Sequence, residues 1–229
     1  MNDTLDQIQT HVKFLTADEA VSHIPEAASI MVGGFGYAGT PRHLSRAIVK
    51  REELRDLTLI MNSLGSVSVL NDLFIQNRIK KVVGSFFSSN KELVKAHREG
   101  SVEIELLPQG TFTEAIRLGG AGIPAFYTPT AAGTDLALGK ETRVINGREH
   151  VLEYSLTADV AIIRAYKADK AGNLVYRKTA SNFNPLMATA AKLTIVEVDE
   201  IVEIGELDPD SIVTPFIFVD MIVKREVEA

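Results

Sequence analysis

Four short apolar runs, Ala28–Val32, Leu57–Met61, Lys81–Ser85 and Val102–Leu107, recur along the first half of the chain, with helix-like amphipathic segments between them. Such alternation builds βαβ units, and hence a mostly parallel sheet covered by helices on both faces, a three-layer α/β/α fold. Ligands of such sheets bind beyond the carboxyl ends of the strands. The turn at Val32–Pro41, Asn62, the segment after Ser85 and Gln109 each follow a strand. They are expected along one edge of the molecule.

The first of these turns reads VGGFGYAGTP. Gly33, Gly34, Gly36 and Gly39, interleaved with Phe35, Tyr37 and Ala38, lie between a strand and a helix that buries Leu44, Ala47, Ile48 and Leu54. Thr40 offers an N-cap hydroxyl and Pro41 a first helical position, so the helix is expected to begin after the glycines. Glycines let a ligand approach the main chain, while free N–H groups and the helix N-terminus carry partial positive charge. The turn therefore suits an anion, either a bound phosphate or an oxyanion formed during reaction. Gly34, Gly36 and Gly39 also match the dinucleotide pattern GxGxxG, but that pattern expects a carboxylate about 20 residues on, where this chain has Asn62. A tight turn without chemical role is the remaining alternative.

At 229 residues the chain suits one large α/β domain, read as residues 16–229 after a polar arm over residues 1–15. A net charge of −6 argues against general nucleic-acid binding. The absence of cysteine excludes disulfides, thiolate metal sites and a cysteine nucleophile. MNDTLDQIQT lacks the charged-then-apolar order of a secretion signal, and no apolar run approaches the roughly 18 residues of a membrane span, so a cytoplasmic location is expected.

Elsewhere, Thr16 and Glu19 form a capping box for a first helix, and Asn90 is placed to cap a helix ending at Glu99. A helix is expected from Thr113, followed by an irregular Gly/Pro/Thr segment at 119–134 that reads as a lid or binding loop. Asn146-Gly147 between Thr142–Ile145 and His150–Tyr154 marks a small β-hairpin insertion. Asp159–Ala165 reads as a buried strand, Pro185 as a helix start, and Thr194–Val198, Ile201–Ile204 and Phe216–Val223 as closing strands.

Reactive candidates are few. The five histidines show no metal-ligand spacing, so no metal site is expected. His43 follows the glycine turn and reads either as a solvated helix position or as a ligand neighbour. Gln109 in PQGT can donate its amide to a carbonyl oxygen acquiring charge, or satisfy nearby backbone; Asn62 and Asn90 have the same two readings. Glu114 is explained by a helix N-terminus, and Glu197 and Glu203 as outward or paired strand positions. The chain thus offers a place for charge without a convincing reactive group, which points to a missing partner.

Four stretches, VGGFGYAGTP, PQGTFTEAIRLGGAGIPAFYTPTAAGT, ADVAIIRAYKADKAGNLVYRKTASNFNP and DPDSIVTPFIFVD, together resemble the A (alpha) subunit of family I coenzyme A transferases of the 3-oxoacid type. The similarity runs from about Phe14 to Val223. It implies ping-pong transfer of CoA between carboxylic acids, with CoA and acyl-CoA as substrates and no tightly bound cofactor. It also implies a nucleophilic glutamate on a B subunit, in an assembly of two A and two B chains. Gly33 through Gly39 match the family's CoA-binding signature, and Gln109 matches its PQGT glutamine. Sugar-phosphate isomerases share this fold, but their chemistry requires a general base that the chain does not show. A non-catalytic sensor of acyl-CoA or phosphosugars would need an output domain, which is not expected here.

Overall fold

The computed structural model describes residues 11–226. In chain order its elements begin β1 (Lys13–Phe14), α1 (Ala17–Val21), β2 (Ser29–Val32), α2 (Arg42–Lys50), β3 (Leu57–Ile60) and α3 (Asn71–Ile75). They continue through β4 (Ile79–Gly84), α4 (Lys91–Arg98), β5 (Glu103–Leu106) and α5 (Gln109–Gly120) to β6 (Ala125–Thr128), β7 (Thr142–Ile145) and β8 (Arg148–Tyr154). β9 (Ala158–Asp169), β10 (Leu174–Val175), α6 (Asn184–Thr189), β11 (Ala191–Val202) and β12 (Met221–Lys224) complete the chain.

The main sheet has the order β1-β12-β11-β9-β2-β3-β4-β5, with β10 added antiparallel to β9 and every other pair parallel. Alternation along each strand sorts apolar side chains to the two faces. On β2, Ile30 and Val32 join a cluster with Leu44 and Ile48 of α2, whereas Met31 joins one with Phe112 of α5 and Met187 of α6. Helices therefore cover both faces, as the alternation requires. From β2 the chain builds outward to β5, then returns to β2's other side at β9. The reversal opens a crevice at the carboxyl end of β2, where the glycine turn begins.

Several local expectations are met. The Thr16–Glu19 capping box forms in both directions, and the Asn90 side chain accepts from Leu93 N at 3.1 Å. Asn146 and Gly147 both take positive φ, as a type I′ hairpin turn demands.

Others are corrected. Residues 1–10 of the expected arm lie outside the described residues, and the arm's end is not free: Lys13 N donates to Asp220 O at 2.9 Å as β1 joins the sheet. Helix α5 begins at Gln109 instead of Thr113, directly behind Pro108. The 119–134 segment is not wholly irregular, because Ala125–Thr128 pairs with β8 and turns the expected hairpin into a three-stranded sheet, β6-β8-β7. Its Phe126 and Tyr127 are good strand formers, and the flanking Pro124 and Pro129 disguise so short a strand. The two strands expected over 194–204 are one, β11, held past Asp199 and Glu200 by cross-strand pairs to Arg164 and Lys167. Phe216–Phe218 is a single 3₁₀ turn, and only Met221–Lys224 pairs as a strand.

Candidate active site

The bend from Gly33 to Thr40 keeps part of its main chain open. Gly33 N donates to Ile162 O at 2.9 Å, continuing the sheet, while Phe35 and Ala38 exchange two hydrogen bonds of 3.0 Å. The amides of Gly34, Gly36, Tyr37 and Gly39 take no partner among the described residues. Gly34 and Gly36 stand at φ of +112° and +57°, backbone regions that side-chain-bearing residues rarely enter.

A second segment clamps the bend from outside. Asn182 Nδ2 donates to Ala38 O at 3.0 Å, and the fully buried Asn184 donates to Gly39 O at 3.1 Å. Asn184 Oδ1 accepts from Arg164 N at 2.9 Å, which ties the clamp to β9. Phe183 stacks on Phe35 at 6.4 Å and meets Phe112 of α5 edge-on at 5.4 Å. The run SNFNP is therefore the bend's scaffold, a role sequence reasoning missed although the run itself was visible.

Gly33, Gly34, Gly36 and Tyr37 line a cleft of about 380 Å³ between α2 and the turn after β3. Phe35, Ala38 and Gly39 do not line it. Arg42 and Arg46 of α2 do, and the Arg42 guanidinium lies 5.7 Å from the centre of the Tyr37 ring. Among the described residues the lining contains no carboxylate and no histidine; its hydroxyls include Ser45, whose Oγ donates to Pro41 O at 2.7 Å. No group of three His, Cys, Asp or Glu side chains able to hold a metal exists among the described residues.

Two expectations about this corner fail together. Thr40 does not cap α2, because its hydroxyl donates to Gly36 O at 3.1 Å and Pro41 takes the cap position without a side-chain bond. The vacant cap is filled from β11: Glu197 Oε2 accepts from His43 N at 2.7 Å and Leu44 N at 3.3 Å. The helix N-terminus is thus already occupied by a carboxylate, so a ligand anion would meet the bend amides, the arginines and the serine hydroxyls of the lining instead. His43 is half-buried and lies outside the glycine cleft; its Nδ1 lies 3.4 Å from Glu197 Oε1. Glu197 is fully buried and paired with His43 and Arg225, the second of its two expected readings.

The other candidates scatter. Asn90 caps α4, and Asn62 is buried at the end of β3 with its Nδ2 unpaired. Glu114 lies beyond the first turn of α5 and pairs with Arg117 at 2.7 Å, so an ion pair and not the helix dipole accounts for it. Glu203 pairs with Lys170. Gln109, the first residue of α5, is exposed and its amide has no partner among the described residues. Its strand, β5, is three places from β2, yet Phe112 one turn on reaches the bend through Phe183.

A profile of the coenzyme A transferase family matches residues 14–225, nearly all of this chain. The chain belongs to that family. The transferase chain is 47% identical over 210 residues to the A subunit of a succinyl-CoA:3-ketoacid coenzyme A transferase from Helicobacter pylori, covering 91% of this chain and 90% of that one. It is 48% identical over 207 residues to the A subunit of a 3-oxoadipate CoA-transferase from Pseudomonas putida, covering 89% of each. Among solved structures, an acyl-CoA transferase of Escherichia coli O157:H7 superposes with a TM-score of 0.84 at 20% identity, over 93% of this chain and 47% of that one, a likeness of fold. The names of the two sequence relatives place the transferase chain as an A (alpha) subunit, which implies a partner of the B (beta) type. Among its described residues no helix is long and apolar enough to cross a membrane. Neither the dinucleotide nor the isomerase alternative is favoured by these matches.

Proposed function

We propose that this chain is the CoA-binding, non-nucleophilic subunit of a heteromeric transferase that moves CoA between 3-oxo and other short-chain carboxylic acids in the cytoplasm, assembled as two A and two B subunits. The observation that carries the reading is a cleft furnished with open amides and two arginines but without a carboxylate. The substrates follow from what the two relatives' names share, a 3-oxo acid.

In the proposed cycle a glutamate from the partner chain attacks the acyl-CoA thioester carbonyl, and the C–S bond breaks to leave an acyl-glutamyl anhydride and CoA thiolate. The thiolate then attacks the glutamyl carbonyl, expelling the first acid and leaving a glutamyl-CoA thioester. A second carboxylate attacks that thioester, and the returning thiolate converts the new anhydride to product and free glutamate. This chain contributes binding and charge stabilisation. Within the Gly33–Gly39 bend the open amides of Gly34, Gly36 and Tyr37 present the main chain to the thioester oxygen or a CoA phosphate, Arg42 meets anionic parts of CoA, and Gln109 donates its amide to the developing oxyanion.

Calorimetry on the assembled enzyme tests the ligand class. CoA and acetyl-CoA are expected to bind and NAD and sugar phosphates not to, with Arg42→Ala weakening CoA about 3- to 10-fold, as suits a partly solvated charge contact. Binding of a sugar phosphate in place of CoA would replace this function with the isomerase-like one.

A further inference from the structure

Helix α2 supplies one wall of the cleft, and it is held at both ends by buried charges from distant parts of the chain. At its C-terminal end Arg78, 1% exposed, donates to Leu54 O at 2.7 Å, Val49 O at 2.9 Å and Ile48 O at 3.3 Å, and also to Arg51 O. At its N-terminal end the Glu197 carboxylate takes the amides of the second and third helical residues, His43 and Leu44. A cation at the carbonyl end and an anion at the amide end both oppose the helix dipole favourably.

The N-terminal contact is unusual in its origin. An N-cap side chain normally comes from the residue just before the helix. Here that residue is Pro41, and the neighbouring Thr40 hydroxyl is diverted to Gly36 O, where it braces the glycine bend. Shaping the bend thus removes the local cap, and Glu197 replaces it from the middle of the sheet. Arg225 Nε lies 3.3 Å from Glu197 Oε1 at ion-pair distance without hydrogen-bond alignment, while its Nη1 holds Asp199 at 2.7 Å. Asp199 also binds Arg164, whose main-chain N donates to the Asn184 that clamps the bend. One polar chain therefore runs from the cap of α2 to the far side of the bend.

We infer that Glu197 is a positioning residue: by capping α2 from β11 it sets the first turn of that helix, and with it Arg42, against the glycine bend. It does not line the cleft, so it acts on substrate only through α2. The inference rests on the proposed use of the cleft for CoA.

Two conservative variants separate reach from charge in the assembled enzyme. Glu197→Gln keeps the length and an acceptor oxygen but drops the charge beside Arg225; Glu197→Asp keeps the charge but withdraws it by one methylene from the His43 and Leu44 amides. Glu197→Asp is expected to raise KM for acyl-CoA about 5- to 20-fold, with kcat changed less than about threefold, as for loss of an N-cap. Glu197→Gln is expected to hold KM within about twofold of wild type even where its Tm falls through the lost charge contact with Arg225, which keeps its bond to Asp199. A merely structural glutamate would leave KM alone in both variants, and that result, or a larger KM for Gln than for Asp, overturns the inference. Arg42→Ala distinguishes the underlying failure. If it raises KM while Glu197→Asp does not, positioning by Glu197 is refuted; if it leaves KM unchanged, the cleft does not bind CoA through α2 and both ideas fall.

Discussion

Gly33→Ala is expected to cost the assembled enzyme most of its activity and to lower the stability of this chain by about 2–5 kcal/mol. A Cβ at this position would stand 1.8 Å from Asn184 Oδ1 and 2.8 Å from its Cγ. Asn184 cannot swing aside cheaply. It is fully buried and holds Arg164 N, Gly39 O and Ala180 O at 2.9, 3.1 and 2.8 Å. Moving it would strand buried donors and acceptors and release the bend that lines the cleft. Thermal unfolding together with kcat/KM reads both effects. The clash also predicts coupling: Asn184→Ala should cost less in the Gly33→Ala background than in wild type, because the contact is already lost. Additive losses would mean that the bend is not held through Asn184.

Gln109→Ala is expected to lower kcat about 10- to 1000-fold, the range for removing one donor to a developing oxyanion. The effect should fall on the chemical step and spare folding, since the amide is exposed and makes no bond with the described residues. Helix α5 itself is kept by other contacts, including the buried Phe112, Ala115 and Ile116 and the Thr113 hydroxyl bonded to Gln109 O at 2.9 Å. The position is suited to a role completed by assembly, because it stands at the carboxyl edge of the sheet outside the cleft's own lining. Steady-state kinetics on the complex decides: unchanged kcat would reduce Gln109 to a surface residue of the helix start.

What could be read from the amino-acid order was whatever short range determines. The Thr16–Glu19 box, the Asn90 cap, the Asn146-Gly147 turn and the apolar run that becomes β2 each depend on neighbours a few residues apart, and each is found. The placement of the glycine bend at a strand end was visible for the same reason. Its supports were not. Asn184, Glu197 and Arg78 act on residues 145, 154 and 24 to 30 positions away, and only the fold brings them there. Thr40 misled because a threonine before Pro41 has two uses for its hydroxyl, and the tight bend claims it first. Glu197 fits the paired of its two readings, but its partners, His43 on α2 and Arg225 beyond β12, are brought to it only by the fold. A signal for Asn184 did exist: a polar SNFNP run after a buried strand needs partners for its amides, and the glycine bend's carbonyls needed them too.

If this chain binds the CoA substrate but borrows its nucleophile, reconstitution from separated subunits will show it. This chain and its B-type partner would be purified separately and assayed for CoA transfer from succinyl-CoA to a 3-oxo acid, alone and mixed. No transfer by this chain alone and restored turnover on mixing are expected; transfer by this chain alone, at a rate comparable to the mixture, would show that it carries its own nucleophile.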